Sequence, residues 1–503
     1  MRTGQACGRL GPVLALGAAL AACTDRVPFS PTSSAPPPPS YAVDGVHRGD
    51  GPRHVMVMRG RVPRDLPAAV EARGGVVQWS DPEIGVVSTS GLSDAAAAQL
   101  AARPDVDGIQ RDVEVRWLPP AERYHAQAIE APAGEANQSS AFFFSFYQWN
   151  IRQIRADAAW LKTNAGAGAL VCILDTGIDP EHIDLFGRVD LANSTSFVPT
   201  EPFLDDLNTH GTFVASLVTS NGLGMASVAP NAQLCAVKVL DETGSGSFAG
   251  VIAGMMHAAR VGADVINLSL GAYFSKKEPG ARQLVRALQR AVNFATRKGT
   301  LVVASAGNDG INLDRDARHF IHVPSQLDDV LSVGATAPFN QTNFDALASY
   351  TNFGRTGVDV MAPGGDLLPR GDVFFLRDLV LSACSHFQRQ LPFSCSRGSY
   401  VFGAGTSFAA AHAAGAAAVA ESQRRSNQSA ERLSECVTRG ADDLGRRGVD
   451  AQYGKGRVNV LGAAKCPDRD DDDRDRRDDD RDRRDDDRDR HDDNDRDRHG
   501  DKS

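Results

Sequence analysis

Outside one terminal stretch, this chain has almost no surplus of charge. From residue 467 onward there are 19 Asp against 11 Arg and one Lys, which leaves 44 acidic and 42 basic side chains in the rest. A nearly neutral body removes the electrostatic ground for nucleic acid or an anionic membrane surface as a partner. Long apolar runs are missing too. The one sustained stretch, residues 10–22, is too short to cross a bilayer as a helix. No H-E-x-x-H occurs, which excludes the two-histidine zinc helix of one metalloprotease class. No G-x-S-x-G occurs, which excludes the nucleophile elbow of lipases and esterases.

What is present begins with an export signal. Arg2 and Arg9 precede the short apolar run, which ends in Leu20-Ala21-Ala22-Cys23. That ending resembles the lipobox of bacterial lipoproteins, so residues 1–23 read as a lipoprotein signal peptide with Cys23 as the acylated residue. The plainer alternative is a cleavable signal peptide with an incidental cysteine. Residues 24–53, with "SPTSSAPPPPS", form a stiff Pro/Ser-rich linker. At the other end, residues 467–503 are an Asp/Arg polyampholyte with nothing to bury, expected to be disordered. It reads as a solubilising tail. Calcium or surface binding is its other reading, although the glycine turns of regular Ca²⁺ loops are absent.

At 503 residues the chain is too long for a single core. Residues 54–118 read as strand, helix, strand, strand, helix, strand. "HVMVMRG" is an apolar strand, and "SDAAAAQLAARP" is a helix opened by Ser93 or Asp94 and stopped before Pro104. This predicts a small α+β unit of ferredoxin-like type. Residues 119–147 read as a loose connector around an aromatic knot, "FFFSFY". Residues 148–466 alternate short apolar strands such as "ALVCILD" and "TLVVASAG" with helices, which predicts an α/β domain: a parallel sheet with helices on both faces. Setting aside Cys7 and Cys23, six cysteines remain, an even number that suggests three disulfides in an exported chain. Cys384 with Cys395 and Cys436 with Cys466 are the economical pairings. Cys172 with Cys235 requires their strands to be neighbours.

"GAGTSFAAAHAAG" holds one serine, Ser407, and one histidine, His412. Five residues on a helix turn through about 500°, so His412 does not face Ser407 and a base must come from elsewhere. "ALVCILDTGID" leaves Asp175 at the end of an apolar strand, and "NTHGTFVAS" puts His210 at a helix start. Ser407 stands at the entry of an alanine-rich helix, where N–H groups and the dipole favour negative charge. A serine hydroxyl needs a base, and an imidazole base needs a carboxylate to fix its tautomer. Asp175, His210 and Ser407 supply one of each.

The blocks "LDTGID", "HGTFVAS" and "GTSFAAAH", in that order, resemble the signatures of the subtilisin-like serine proteases. "SVAPNAQLCAVKVL", "INLSLG", "VVASAGNDG", "SYTNFG" and "VMAPGG" resemble further segments of the family. The resemblance covers some 300 residues. It implies a serine endopeptidase working through an acyl-enzyme, with Asn308 as the side-chain oxyanion donor and His412 in a packing role. Ala411 stands where the family usually has proline, and alanine preserves the helix. The resemblance further implies that an extended polypeptide substrate is clamped between Gly244–Gly246 and Ser269, Leu270 and Gly271. The pocket for the residue before the scissile bond would lie between Leu270-Gly271 and 304–307, including Ala306 and Gly307. No charge is evident there, so an apolar or broad preference is expected. Asp184 and Asn221 fall where family members place ligands of a structural Ca²⁺; no organic cofactor is implied. The 54–118 unit resembles the family's inhibitor-like propeptide, expected to inhibit the enzyme intramolecularly until autoprocessing within 119–147. The whole is then an exported, lipid-anchored precursor and a monomer, touching membrane only through its anchor and released on processing unless the parts stay bound. A catalytically silent peptide-binding module on the same scaffold is the alternative.

Overall fold

The computed structural model describes residues 42–43 and 51–466, apart from 119–122, 125–127, 133, 200, 202–203, 279, 340, 368–374 and 424–428. The signal peptide with Cys23, nearly all of the Pro/Ser-rich linker and the Asp/Arg tail lie outside the described residues.

The central sheet runs Thr195–Ser196, Gln233–Lys238, Leu170–Asp175, Val265–Leu268, Leu301–Ser305, Val330–Phe339 and Asn343–Leu347 in spatial order, with Val360–Pro363 also on Val330–Phe339. Every pairing is parallel except that of Asn343–Leu347. Its strands read as unbroken apolar runs because both faces are covered. Alternation then deals the side chains to two cores. Val171 and Ile173 face one, and Cys172 and Leu174 face the other. The first core is capped by the helices His210–Val218, Thr406–Glu421 and Ala430–Arg439, and the second by Phe248–Arg260 and Ala281–Arg297. Helix Thr406–Glu421 is buried from Thr406 through Ala420, which explains its alanine content. A Cβ at Gly415 would fall 2.6 Å from Val228 Cβ, so nothing larger than glycine fits there.

All three cysteine pairs form disulfides: Cys172–Cys235, Cys384–Cys395 and Cys436–Cys466. The condition on the first is met, because Cys172 and Cys235 lie opposite each other on adjacent strands.

Residues 54–111 form the expected smaller unit, an antiparallel sheet in the order Val76–Asp81, Val86–Ser90, His54–Met58, Val106–Arg111. Helices Leu66–Glu71 and Asp94–Ala101 cover one face, and Ser93 Oγ caps the second helix by accepting from Ala96 N (3.2 Å). The other face, with Val55, Val57, Ile84 and Val86, joins the second core of the large domain. Around it Arg260 pairs with Asp81 and Glu83, Arg286 pairs with Asp107, and Arg290 donates to the carbonyls of Met58, Ile84 and Gly85.

The stretch read as a loose connector differs from that expectation. Arg123–Tyr124 and Ile129–Glu130 pair with Ser399–Ala404, and the N–H groups of Asn137, Phe142 and Phe143 bond to the carbonyls of Gly222, Leu223 and Gly224. Phe143 of the aromatic knot is buried against Tyr400 (centroids 5.2 Å). The segment lacks a helical or strand period of its own because its partners lie far along the chain.

Candidate active site

The strands Leu170–Asp175, Val265–Leu268 and Leu301–Ser305 all end on one rim of the sheet, where parallel sheets gather their functional groups. Asp175 terminates the first and is fully buried. Its Oδ1 accepts from Thr176 N (2.7 Å) and pairs with His210 Nδ1 (2.7 Å). His210 is the first residue of its helix, entered through Thr209 at φ 89°. The helix start presses onto the turn after Asp175, and a Cβ at Gly211 would meet Gly177 O at 2.0 Å. Only glycine permits that approach.

Asp206 holds this junction together and was not found in the sequence. Fully buried, it accepts from Thr176 Oγ1 (2.8 Å), Thr209 N (3.0 Å), Thr212 N (2.8 Å) and Thr212 Oγ1 (2.6 Å). A carboxylate on the first N–H groups of a helix is stabilised by the dipole. It therefore fixes the position of His210. Lys238, opposite Asp175 on the neighbouring strand, is likewise fully buried, ion-paired with Glu201 and bonded to Thr176 O. Neither residue carried a signal beyond its place near a strand or helix end.

Ser407 is the second residue of the helix Thr406–Glu421. Its Oγ donates to Ser269 O (3.0 Å), and Ser269 Oγ donates back to Ser407 O (2.7 Å). Next to it, Phe408 stacks on Phe213 (4.0 Å) and lies 6.1 Å from the His210 ring. That aromatic stack joins the first turns of the two helices that carry His210 and Ser407. Asn308 follows the strand Leu301–Ser305. Its Oδ1 accepts from Thr406 N (2.9 Å) and Thr406 Oγ1 (2.7 Å), which turns the NH₂ end of the amide away from that anchor. His412 is turned from this cluster: Nε2 meets Asn150 Nδ2 (2.8 Å) and Nδ1 meets Phe408 O (2.6 Å). Burial lowers its pKa to about 4.

The segments expected to clamp a substrate pair with residues 114–118 of this same chain. Glu114–Arg116 pairs antiparallel with Ser245–Ser247, Trp117 N and Leu118 N donate to Gly244 O (3.0 and 3.2 Å), and Gly271 N donates to Trp117 O (3.0 Å). Trp117 is wholly buried, edge-on to Phe248 (5.0 Å), with its indole N–H on Gly246 O (2.9 Å). Glycine is required at Gly244, where a Cβ would strike Leu118 at 2.7 Å. Further along the chain, Arg123–Tyr124 pairs with Gly403–Ala404, three residues short of Ser407.

The expected Ca²⁺ ligands do not fit a cation. Asp184 Oδ1 accepts from Leu223 N (2.7 Å), and Oδ2 accepts from Gly224 N, Met225 N (both 3.0 Å) and Tyr400 OH (2.6 Å). Asn221 Oδ1 accepts from Arg188 Nε (2.8 Å). The carbonyls that face Asn221, those of Ile183 and Phe186, accept from its Nδ2 (2.9 and 3.0 Å), so donors of the protein occupy the oxygens that a hard cation would need. Among the described residues no group of three or more His, Cys, Asp or Glu could hold a metal.

The profile of the subtilase family matches residues 166–456. The chain is 33% identical over 324 residues to a thermophilic serine proteinase of Bacillus sp. (strain AK1), covering 64% of this chain and 68% of that one. It is 34% identical over 319 residues to subtilisin Savinase of Lederbergia lenta, covering 63% and 98%. Among solved structures, an epidermin leader peptide processing serine protease from Staphylococcus aureus aligns with a TM-score of 0.67 at 22% identity, covering 83% of this chain and 98% of that one, a likeness of fold. A lanthipeptide protease aligns with a TM-score of 0.57 at 29% identity, covering 66% and 99%.

Proposed function

Because the chain belongs to the subtilase family and is a serine endopeptidase, we propose that it cuts peptide bonds with Asp175, His210 and Ser407 and is made as an exported, self-processing zymogen. The observation that supports the site assignment most is the buried 2.7 Å pair of Asp175 with His210 Nδ1, whose ring lies 6.1 Å from that of Phe408, the residue after Ser407. Ser407 Oγ attacks the substrate carbonyl while His210 Nε2 takes the hydroxyl proton. Asp175 keeps the other ring nitrogen protonated and stabilises the imidazolium that forms. Negative charge then develops on the former carbonyl oxygen. Asn308 Nδ2 and the Ser407 N–H, at the start of a long helix, receive it; such a donor is worth about 10²–10³ in turnover. His210 returns the proton to the leaving amine, and water, activated by the same imidazole, hydrolyses the acyl-enzyme.

Residues 54–118 act as the inhibitor in this reading, with Glu114–Leu118 filling the cleft as a substrate strand does. Cys23 lies on the propeptide side of any cut within 119–147, so processing frees the catalytic domain from a lipid anchor unless the two parts stay bound. The test compares wild type with Ser407→Ala by fluorophosphonate labelling, intact mass, N-terminal sequencing and membrane fractionation. Wild type is expected to label, to be cut within 119–147 and to leave the membrane, and Ser407→Ala to stay whole, unlabelled and bound. Wild type without label would leave only a silent binding module. Equal membrane retention of the catalytic domain despite cleavage would sink the release.

A further inference from the structure

We propose that His322 is the floor of the pocket for the residue before the scissile bond, and that it selects side chains ending in a carboxamide or carboxylate, glutamine and glutamate, over apolar chains of similar length. The proposal rests on the endopeptidase reading above and gives it a substrate class.

Two backbone segments flank Ser407. One runs from Ser269, bonded to Ser407 in both directions, to Gly271, which holds the carbonyl of Trp117 in the cleft. The other is Gly307-Asn308, anchored to Thr406 through Gly307 N (3.2 Å) and Asn308 Oδ1. The ring of His322 touches both. A Cβ built on Gly271 would lie 2.4 Å from its Cε1 and 2.5 Å from its Nε2, and one built on Gly307 would lie 3.0 Å from Nε2. The glycines exist so that this ring edge can close the space between the two segments.

The ring is held firmly. His322 lies on the strand Phe320–Val323, opposite Tyr273 on Ala272–Ser275, with the two rings 4.7 Å apart. Its Nδ1 pairs with Ser325 Oγ (2.6 Å), and its backbone N–H donates to Gln326 Oε1 (2.8 Å). The neighbouring amide is committed elsewhere: Asn352 Nδ2 serves Tyr273 OH and Ala306 O, and its Oδ1 accepts from Asp309 N and Ile311 N. Nε2 is therefore the polar atom of the ring aimed at the cleft.

Burial alone lowers the His322 pKa to about 3, so the ring is neutral at ordinary pH. A neutral imidazole offers one N–H and one lone pair. A carboxamide pairs with Nε2 in either tautomer. A carboxylate pairs with the tautomer in which Ser325 Oγ donates to Nδ1 and Nε2 carries the hydrogen. An apolar chain strips water from Nε2 and returns nothing, a loss of about 10–100-fold in kcat/KM. Large rings also meet a floor raised by an imidazole.

The experiment uses the processed full chain, active sites counted by fluorophosphonate labelling, on quenched peptides that differ only before the scissile bond: Gln, Glu, Leu, Met and Phe. Wild type is expected to favour Gln or Glu about 10–100-fold over Leu, Met and Phe. Counted per labelled active site, His322→Leu and His322→Gly are expected to lose that ranking, the glycine variant gaining Phe. A wild type that prefers Leu or Phe, or a His322→Leu enzyme with an unchanged ranking, overturns the proposal. If neither variant folds, the wild-type ranking decides alone. Absence of labelling in wild type would instead defeat the endopeptidase reading.

Discussion

Asp175 and Asp184 lie nine positions apart on one strand and its following turn, both fully buried, and the fold uses them in opposite ways. Asp184 is surrounded by donors whose protons never leave: three backbone N–H groups and a tyrosine hydroxyl. Asp175 faces an imidazole whose charge changes during the proposed reaction. A carboxylate saturated by fixed donors holds a loop in place, whereas one paired with a titrating group can stabilise a transient cation. The same contrast separates the histidines. His412 has both ring nitrogens spent on Asn150 and Phe408 and is kept neutral by burial, so it packs. His210 is oriented by a carboxylate at the mouth of a helix.

Substitutions break this contrast in graded steps. Asp175→Asn preserves shape but favours the wrong tautomer of His210, and turnover on a peptide substrate is expected to fall about 10⁴-fold with the melting temperature nearly unchanged. A loss of only a few-fold would remove Asp175 from the mechanism. Asp184→Asn is expected to do the reverse. Per active site, kcat stays within about two-fold while thermal unfolding shows about 3 kcal/mol of lost stability, since hydrogen bonds to a charged acceptor weaken together. Added Ca²⁺ or a chelator is expected to shift wild type and this variant alike. A calcium-dependent stabilisation present only in wild type would restore Asp184 as a ligand.

The smallest effect is read in acid. The folded-state pKa of His412 is depressed to about 4 from an ordinary 6.5. Its neutral form therefore stabilises the fold fully above about pH 6.5, and that contribution fades as pH falls toward 4, by roughly 3 kcal/mol at most. His412→Asn is expected to flatten the decline of stability across this window without altering labelling of Ser407. An unchanged decline would show that other groups govern it, His322 among the first to be tried.

Much of this was legible before folding. The strand ending in Asp175, the helix start at His210 and the alanine-rich helix entered at Ser407 were each read from local pattern. The cysteine pairing followed from spacing for two bonds and from one condition for the third. Asp206, Lys238 and His322 were not legible. Each works through backbone groups or residues far away in the chain, and none has a spacing that repeats. The connector at 119–147 misled for the same reason: a short irregular stretch looks loose until its distant partners are known. Asp184 and Asn221 misled differently, because a carboxylate and an amide suit a cation and an N–H group equally well in sequence.

By itself the sequence determined which chemistry was available: an acid, an imidazole and a hydroxyl placed by local pattern at the end of a strand or the start of a helix, and an amide, Asn308, that only the family resemblance singled out. Tertiary structure decided which of several similar groups met a partner that changes charge and which met only fixed donors. It also decided what closes the space beside Ser407. Those choices depend on where backbone N–H and C=O groups point across a folded sheet, and that direction is set by packing rather than by neighbours in the chain.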